Sequence, residues 1–197
     1  MLRFFSSREL STGLSIPLAK WKRWSREFLP PDPLGGLQSG VTRQFSVDEA
    51  LIIFLGGHLV SELKTSVPDA RRILKDVSPC LSDIGLFANS RIHERFGAGS
   101  NDPIAFYTIS ICRDNTEPGL AGRFIYTLRG EISRSSQSRG DRTVYLERYI
   151  EERLPLSAPS LPIQLSSRTL NISAMAEYFV NALGLDKGHF PILSGRR

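Results

Sequence analysis

Residues 18–45 read LAKWKRWSREFLPPDPLGGLQSGVTRQF, and they place both tryptophans of the chain, Trp21 and Trp24, among Lys20, Lys22, Arg23 and Arg26. Indole rings favour burial, and ammonium and guanidinium groups favour water or an anion. A helix meets both demands when one face enters a core and the other stays outside. Trp21 and Trp24 are three residues apart and share a helical face, which Phe28 continues. The spacing predicts a helix from about Pro17 to Glu27, since proline is tolerated in a first helical turn. "LPPDP" ends it, and the Gly- and Pro-rich stretch up to "RQF" reads as a short hairpin or loop.

The same logic extends outward in both directions. "SSRE" is a capping box in which Ser6 and Glu9 satisfy the first-turn amides of a short helix over Ser7–Gly13. "TGLSIP" then supplies turn chemistry, so two short helices joined by a tight turn are expected. "SVDE" is a second capping box, Ser46 to Glu49. It opens a helix with Val47, Ala50, Leu51, Phe54, Leu55 and Leu59 on its apolar side. Gly56 and Gly57 should cost that helix about 1 kcal/mol each relative to Ala, so close helix packing or a kink is expected there. Ser66 caps a further helix, "VPDARRILKDV", whose inner side is Ala70, Ile73, Leu74 and Val77.

Charge follows the same division. The net formal charge is +5. Residues 1–45 hold seven Lys/Arg against three Asp/Glu, whereas residues 81–197 hold fourteen against twelve. A basic excess concentrated in one segment suggests a polyanionic partner, though a solvated surface needs no partner at all. No apolar run is long enough to span a bilayer, and the N-terminus lacks the order of a secretory signal. Cys80 and Cys112 form neither a disulfide framework nor a zinc pattern, which fits a reducing cytoplasm and two small buried hydrophobes. His58, His93 and His189 have no Cys or carboxylate at metal-ligand spacing, and no catalytic constellation is present. No enzyme activity, metal or cofactor is therefore expected.

The order of these elements resembles the winged helix-turn-helix domain of the MerR family of DNA-binding regulators. "ELS" at Glu9–Ser11 is similar to the family's first helix. "KRWSREFLPP" at Lys22–Pro31 is similar to its recognition helix and the exit from it. "RQFSVDE" at Arg43–Glu49 is similar to the end of its wing. The resemblance covers about residues 3–77. It departs from the family at Ser15, where a glycine is usual, and in a longer wing. It also departs after Val77, where Pro79, Gly85 and Gly97 argue against a long dimerising helix.

The resemblance implies a sequence-specific regulator of transcription on double-stranded DNA. Its reading helix would lie around Pro17–Glu27 and its wing around Gly35–Arg43. Ala19, Lys20 and Arg23 would approach base edges, Lys22 and Arg26 would flank them toward phosphates, and Arg43 would meet the backbone or minor groove. Trp21, Trp24, Phe45 and Phe54 would form the supporting core, the alternative for the indoles being base stacking. A single winged helix reads few base pairs, so a homodimer is expected. The rival readings are a DNA-architectural, excisionase-like accessory protein and a protein-interaction module that has lost DNA binding. A duplex bend without an effect on transcription marks the first, and the absence of salt-dependent duplex affinity marks the second.

Beyond a connection at 78–102, with a short helix expected around Ser90–Phe96, the pattern changes. "PIAFYTISICR" and "GRFIYTLRG" are strand-like, with "NTEPGLA" as a hairpin loop between them. "EISRSSQSRGDR" reads as an Arg-rich hairpin tip or loop, and "TVYLERYIEERL" as either strand or helix. "LPLSAPSLPIQL" reads as extended. "NISAMAEYFVNALGL" is an amphipathic helix capped by Asn171 and ended by Gly184. The fold class expected is therefore α+β. A helical winged domain over 1–77 would be followed by a β-rich domain over 103–190 with a closing helix, the latter dimerising or binding an effector or protein partner.

Overall fold

The computed structural model describes residues 3–32, 42–87, 106–113, 123–139, 142–154 and 166–194. The bulk of the expected wing (33–41), the expected helix at 90–96 with His93, the loop at 115–121 and the extended stretch at 155–165 lie outside them. The described fold is α+β. Helices dominate its first half, and an antiparallel sheet with a closing helix makes up its second.

In chain order the first half contains β1 (Phe4–Ser6), α1 (Ser7–Gly13), α2 (Leu18–Phe28), β2 (Gln44–Ser46), α3 (Val47–Ser61) and α4 (Val67–Asp83). Both capping boxes form: Ser6 and Ser46 accept from the amides of Glu9 and Glu49, whose carboxylates accept in return. Antiparallel β1 and β2 place Phe5 opposite Phe45, so the starts of α1 and α3 are tied together. Ser15, in the turn between α1 and α2, has a φ of 55°, a left-handed conformation that glycine adopts without a Cβ penalty. α4 runs six residues beyond the expected end at Val77, through Pro79 to Asp83. Burial of Cys80 and Leu81 offsets the hydrogen bond that Pro79 cannot donate.

α3 is buried on more than its predicted side. Ile53 is also fully buried, because α2, α4 and the closing helix pack around it. The Gly56–Gly57 pair is explained by close packing. A Cβ on Gly57 would lie 2.1 Å from the Trp24 ring, and one on Gly56 would lie 2.7 Å from the Phe28 ring. Trp24 and Phe28 of α2 thus rest on the backbone of α3. Gly57→Ala should destabilise the protein by about 1–3 kcal/mol, the usual cost of overpacking a core, despite alanine's better helix propensity. A urea melt with unchanged or raised stability would show that the two helices can separate freely.

The second half contains β3 (Phe106–Arg113), β4 (Phe124–Arg139), β5 (Arg142–Leu154), β6 (Arg168–Asn171), α5 (Ile172–Ala182) and α6 (Pro191–Ser194), with a short 3-10 turn at Lys187–His189. The sheet order is β5-β4-β3-β6, all antiparallel. "TVYLERYIEERL" is strand, and the expected Arg-rich tip is mostly strand as well: β4 and β5 stay paired out to Arg139 opposite Arg142. Ser, Gln and Thr there expose their side chains on both faces while the backbone completes the ladder. Asn171 caps α5 by accepting from Ala174 N, and Gly184 follows the helix with φ 58°.

The two halves share one apolar core. Phe54 of α3 packs on Phe179 and stacks on Tyr178 of α5, at centroid distances of 5.7 and 5.9 Å. A Cβ on Gly13 would meet Leu183 at 2.8 Å. Tyr126 of β4 donates to Asp76 of α4 at 2.7 Å, and Arg113 of β3 pairs with Asp69 at 2.5 Å. Val77 itself lies inside α4, and its burial is completed within this shared core.

Candidate nucleic-acid interface

α2 is the element on which the candidate residues converge. Its buried side is Trp21, Trp24 and Ser25. Trp21 is fully buried and meets Phe45 of β2 edge-on at 6.1 Å. Trp24 lies on Gly57, and Ser25 Oγ donates back to the carbonyl of Lys22 at 3.0 Å. Both indole N–H groups are buried without a hydrogen-bond partner among the described residues. The rings thus serve the core by shape and area alone. The arrangement disfavours base stacking, because Trp21 is fully buried and Trp24 is only 3 % exposed.

Ala19, Lys20, Lys22, Arg23 and Arg26 are exposed. At about 100° per residue, Lys22, Arg26, Ala19 and Arg23 fall within one sector of roughly 100°, opposite the tryptophans. Lys22, Arg23 and Arg26 make no ion pair with any described residue. Lys20 stands apart on the flank. Its Nζ sits 4.7 Å from the centroid of the Trp24 ring, and it borders a cleft of about 590 Å³ with His58, Glu62 and Tyr178. Burial holds the His58 imidazole below its usual pKa, with Glu62 pulling weakly the other way.

Arg43 is brought close to Lys22 and Arg26. The three border a cleft of about 560 Å³ along α2, β2 and the chain after Leu29. Its guanidinium is already engaged, however. It donates to the Pro30 carbonyl at 3.0 Å and to Glu49 Oε1 at 3.3 Å, and it lies over the Phe45 ring at 5.4 Å. Arg43 therefore fastens the exit of α2 to the start of α3, and only about a fifth of its side chain is exposed. The rest of the expected wing lies outside the described residues.

One supporting pair escapes any local reading of the sequence. Arg71 of α4 donates to the Glu27 carbonyl and carboxylate at 2.5 and 2.6 Å, holding the C-terminal end of α2. The partners are 44 residues apart, and nothing in either segment signals the other.

Family models, curated proteins and solved structures give no match to this chain. Among the described residues no group of three or more His, Cys, Asp or Glu is placed to hold a metal ion, and no helix is long and apolar enough to cross a membrane. Cys80 and Cys112 are both buried. Burial, with Glu152 and Asp83 adding to it, pushes the Cys80 thiol up to about 12, and burial raises Cys112 as well. Neither sulfur is poised as a nucleophile at neutral pH.

Proposed function

We propose that this chain is a sequence-specific double-stranded DNA-binding regulator of transcription. It would use a winged helix-turn-helix over its first half, with α2 as the helix that enters the major groove. The observation that carries the reading is the two-sidedness of α2. One side is locked into the core through Trp21 and Trp24, and the other presents Lys22, Arg23 and Arg26 without carboxylate partners among the described residues. Cations kept on a rigid helix without neutralisation cost self-repulsion, and a phosphate backbone relieves it. α2 also starts at Pro17 without a side-chain cap, leaving first-turn amides toward an incoming anion.

Arg23, at one edge of the outward sector with its guanidinium unpaired among the described residues, is assigned to a base edge by the resemblance to the family's recognition helix. Lys22 and Arg26 suit flanking phosphates. Lys20, on the flank, would have to leave the Trp24 ring to take part. Arg43 would act mainly by holding the wing's return strand against α2, with its remaining exposed edge toward the backbone. The homodimer and the effector or partner role of the second half belong to the same proposal.

The test is a salt titration on a random-sequence duplex followed by selection of preferred sites. Log affinity should fall linearly with log salt, as counterion release requires, and selection should return a consensus. Affinity that is unchanged between low and physiological salt, or a selection with no consensus, overturns the reading.

A further inference from the structure

β5 is an edge strand of thirteen residues, and no described strand pairs with its outer side. A long edge is a template for another strand. Natural edges are blunted by being short, by proline or by charged side chains. β5 is neither short nor interrupted by proline, and its six charged residues are of both signs, so they repel some partners and fit others. Its exposed side chains are also unusual for a solvated edge. Tyr145, Leu146 and Tyr149 are 55, 54 and 44 % exposed, three of the five large apolar side chains found exposed among the described residues.

The sequence of β5 is complementary to itself in one antiparallel register. With Ile150 on a two-fold axis, residue 150+k of one copy lies opposite residue 150−k of the other. Arg148 then faces Glu152, Glu147 faces Arg153, and Leu146 faces Leu154. The two-fold repeats each pair, which makes four opposite-charge pairs, two Leu–Leu pairs, and no like-charge pair. Nearby registers fail. Centring on the strand's midpoint sets Arg148 opposite itself. Centring on Tyr149 sets Glu147 opposite Glu151, and centring on Glu151 sets that residue opposite itself. Directly opposed side chains are the unit of sheet stabilisation, and like charges there are unfavourable.

We infer that two copies of this chain associate through antiparallel pairing of β5 with β5 about Ile150, joining two four-stranded sheets into one of eight. The interface is isologous, as a two-fold requires. The helical layers fit. α4 is tied over β4 by Tyr126 and Asp76, and the two β4 strands would stand three strand spacings apart, about 14 Å. That exceeds the roughly 8–10 Å between the axes of packed helices, so the two α4 helices lie side by side without collision. The inference rests on the proposed regulator only for the use made of two copies. Association is measured without DNA, so its failure and that of DNA binding are separable.

Sedimentation of the full chain at several concentrations should show a monomer–dimer equilibrium. Arg148→Glu sets two Glu–Glu pairs across the axis and should weaken the dimer about tenfold or more. The double change Arg148→Glu with Glu152→Arg inverts every such pair and should restore the dimer. Independently, Ile150→Cys should form a disulfide-linked dimer on mild oxidation, because its two copies face each other at a separation a disulfide can span. Leu146→Cys should not, since it faces Leu154. Melting curves confirm that each variant is folded. A chain that stays monomeric, a dimer indifferent to Arg148→Glu, a double change that fails to restore association, or equal cross-linking by both cysteine variants overturns the inference.

Discussion

Trp24→Ala is expected to lower the unfolding free energy by about 3–5 kcal/mol, the usual loss for a buried large aromatic. The ring is 3 % exposed and lies on the backbone of α3 at Gly57. The facing residue, Gly57, has no side chain to move into the space. The indole N–H makes no hydrogen bond among the described residues, so the whole effect is loss of packing and apolar area. Lys20 loses the ring beneath its ammonium at the same time, but that exposed contact contributes far less. A chemical melt measures the loss directly. A variant that melts like the parent and yet loses duplex affinity would place the indole on the nucleic acid, and the outward sector of α2 would have to be reassigned.

Replacing Lys22, Arg23 and Arg26 together by alanine is expected to do the reverse. Stability should stay within about 0.5 kcal/mol of the parent, since these are surface positions without ion pairs to described residues. The slope of log affinity against log salt should fall by roughly two, about one for each of Lys22 and Arg26 removed from a phosphate. Arg23→Ala alone should weaken specific binding by about 1–3 kcal/mol and relax selectivity at one or two base positions, the effect of losing a bidentate base contact. A triple variant with the parental slope would remove α2 from the interface. A single Arg23→Ala change that keeps full selectivity would leave α2 as an anchor without a reading role.

The chain ends of the helices were legible because their signals are local. Ser6 with Glu9, Ser46 with Glu49, Ser66 and Asn171 each sit within one turn of the amides that they satisfy. The two faces of α2 were legible for a similar reason, since the period of a helix alone sorts Trp21 and Trp24 from Lys22, Arg23 and Arg26. The length of α4 was not. A proline removes one donor wherever it stands, and whether a helix survives it depends on what the following turn buries, here Cys80 and Leu81. The Ser- and Arg-rich end of β4 was equally opaque. Its side chains have low strand propensity, and the ladder to β5, not residue type, keeps it extended.

By itself, then, the sequence determined the α+β division, the caps, the apolar faces and the basic sector of α2, because each depends on residues within a turn or two of one another. Only the tertiary structure decided why Gly56 and Gly57 are glycines, that Arg71 holds the end of α2, that Arg43 is fastened to Pro30 and Glu49, and that both halves share one core. Those relations join residues brought together by the path of the chain. Periodicity and propensity carry no information about which distant face will meet which.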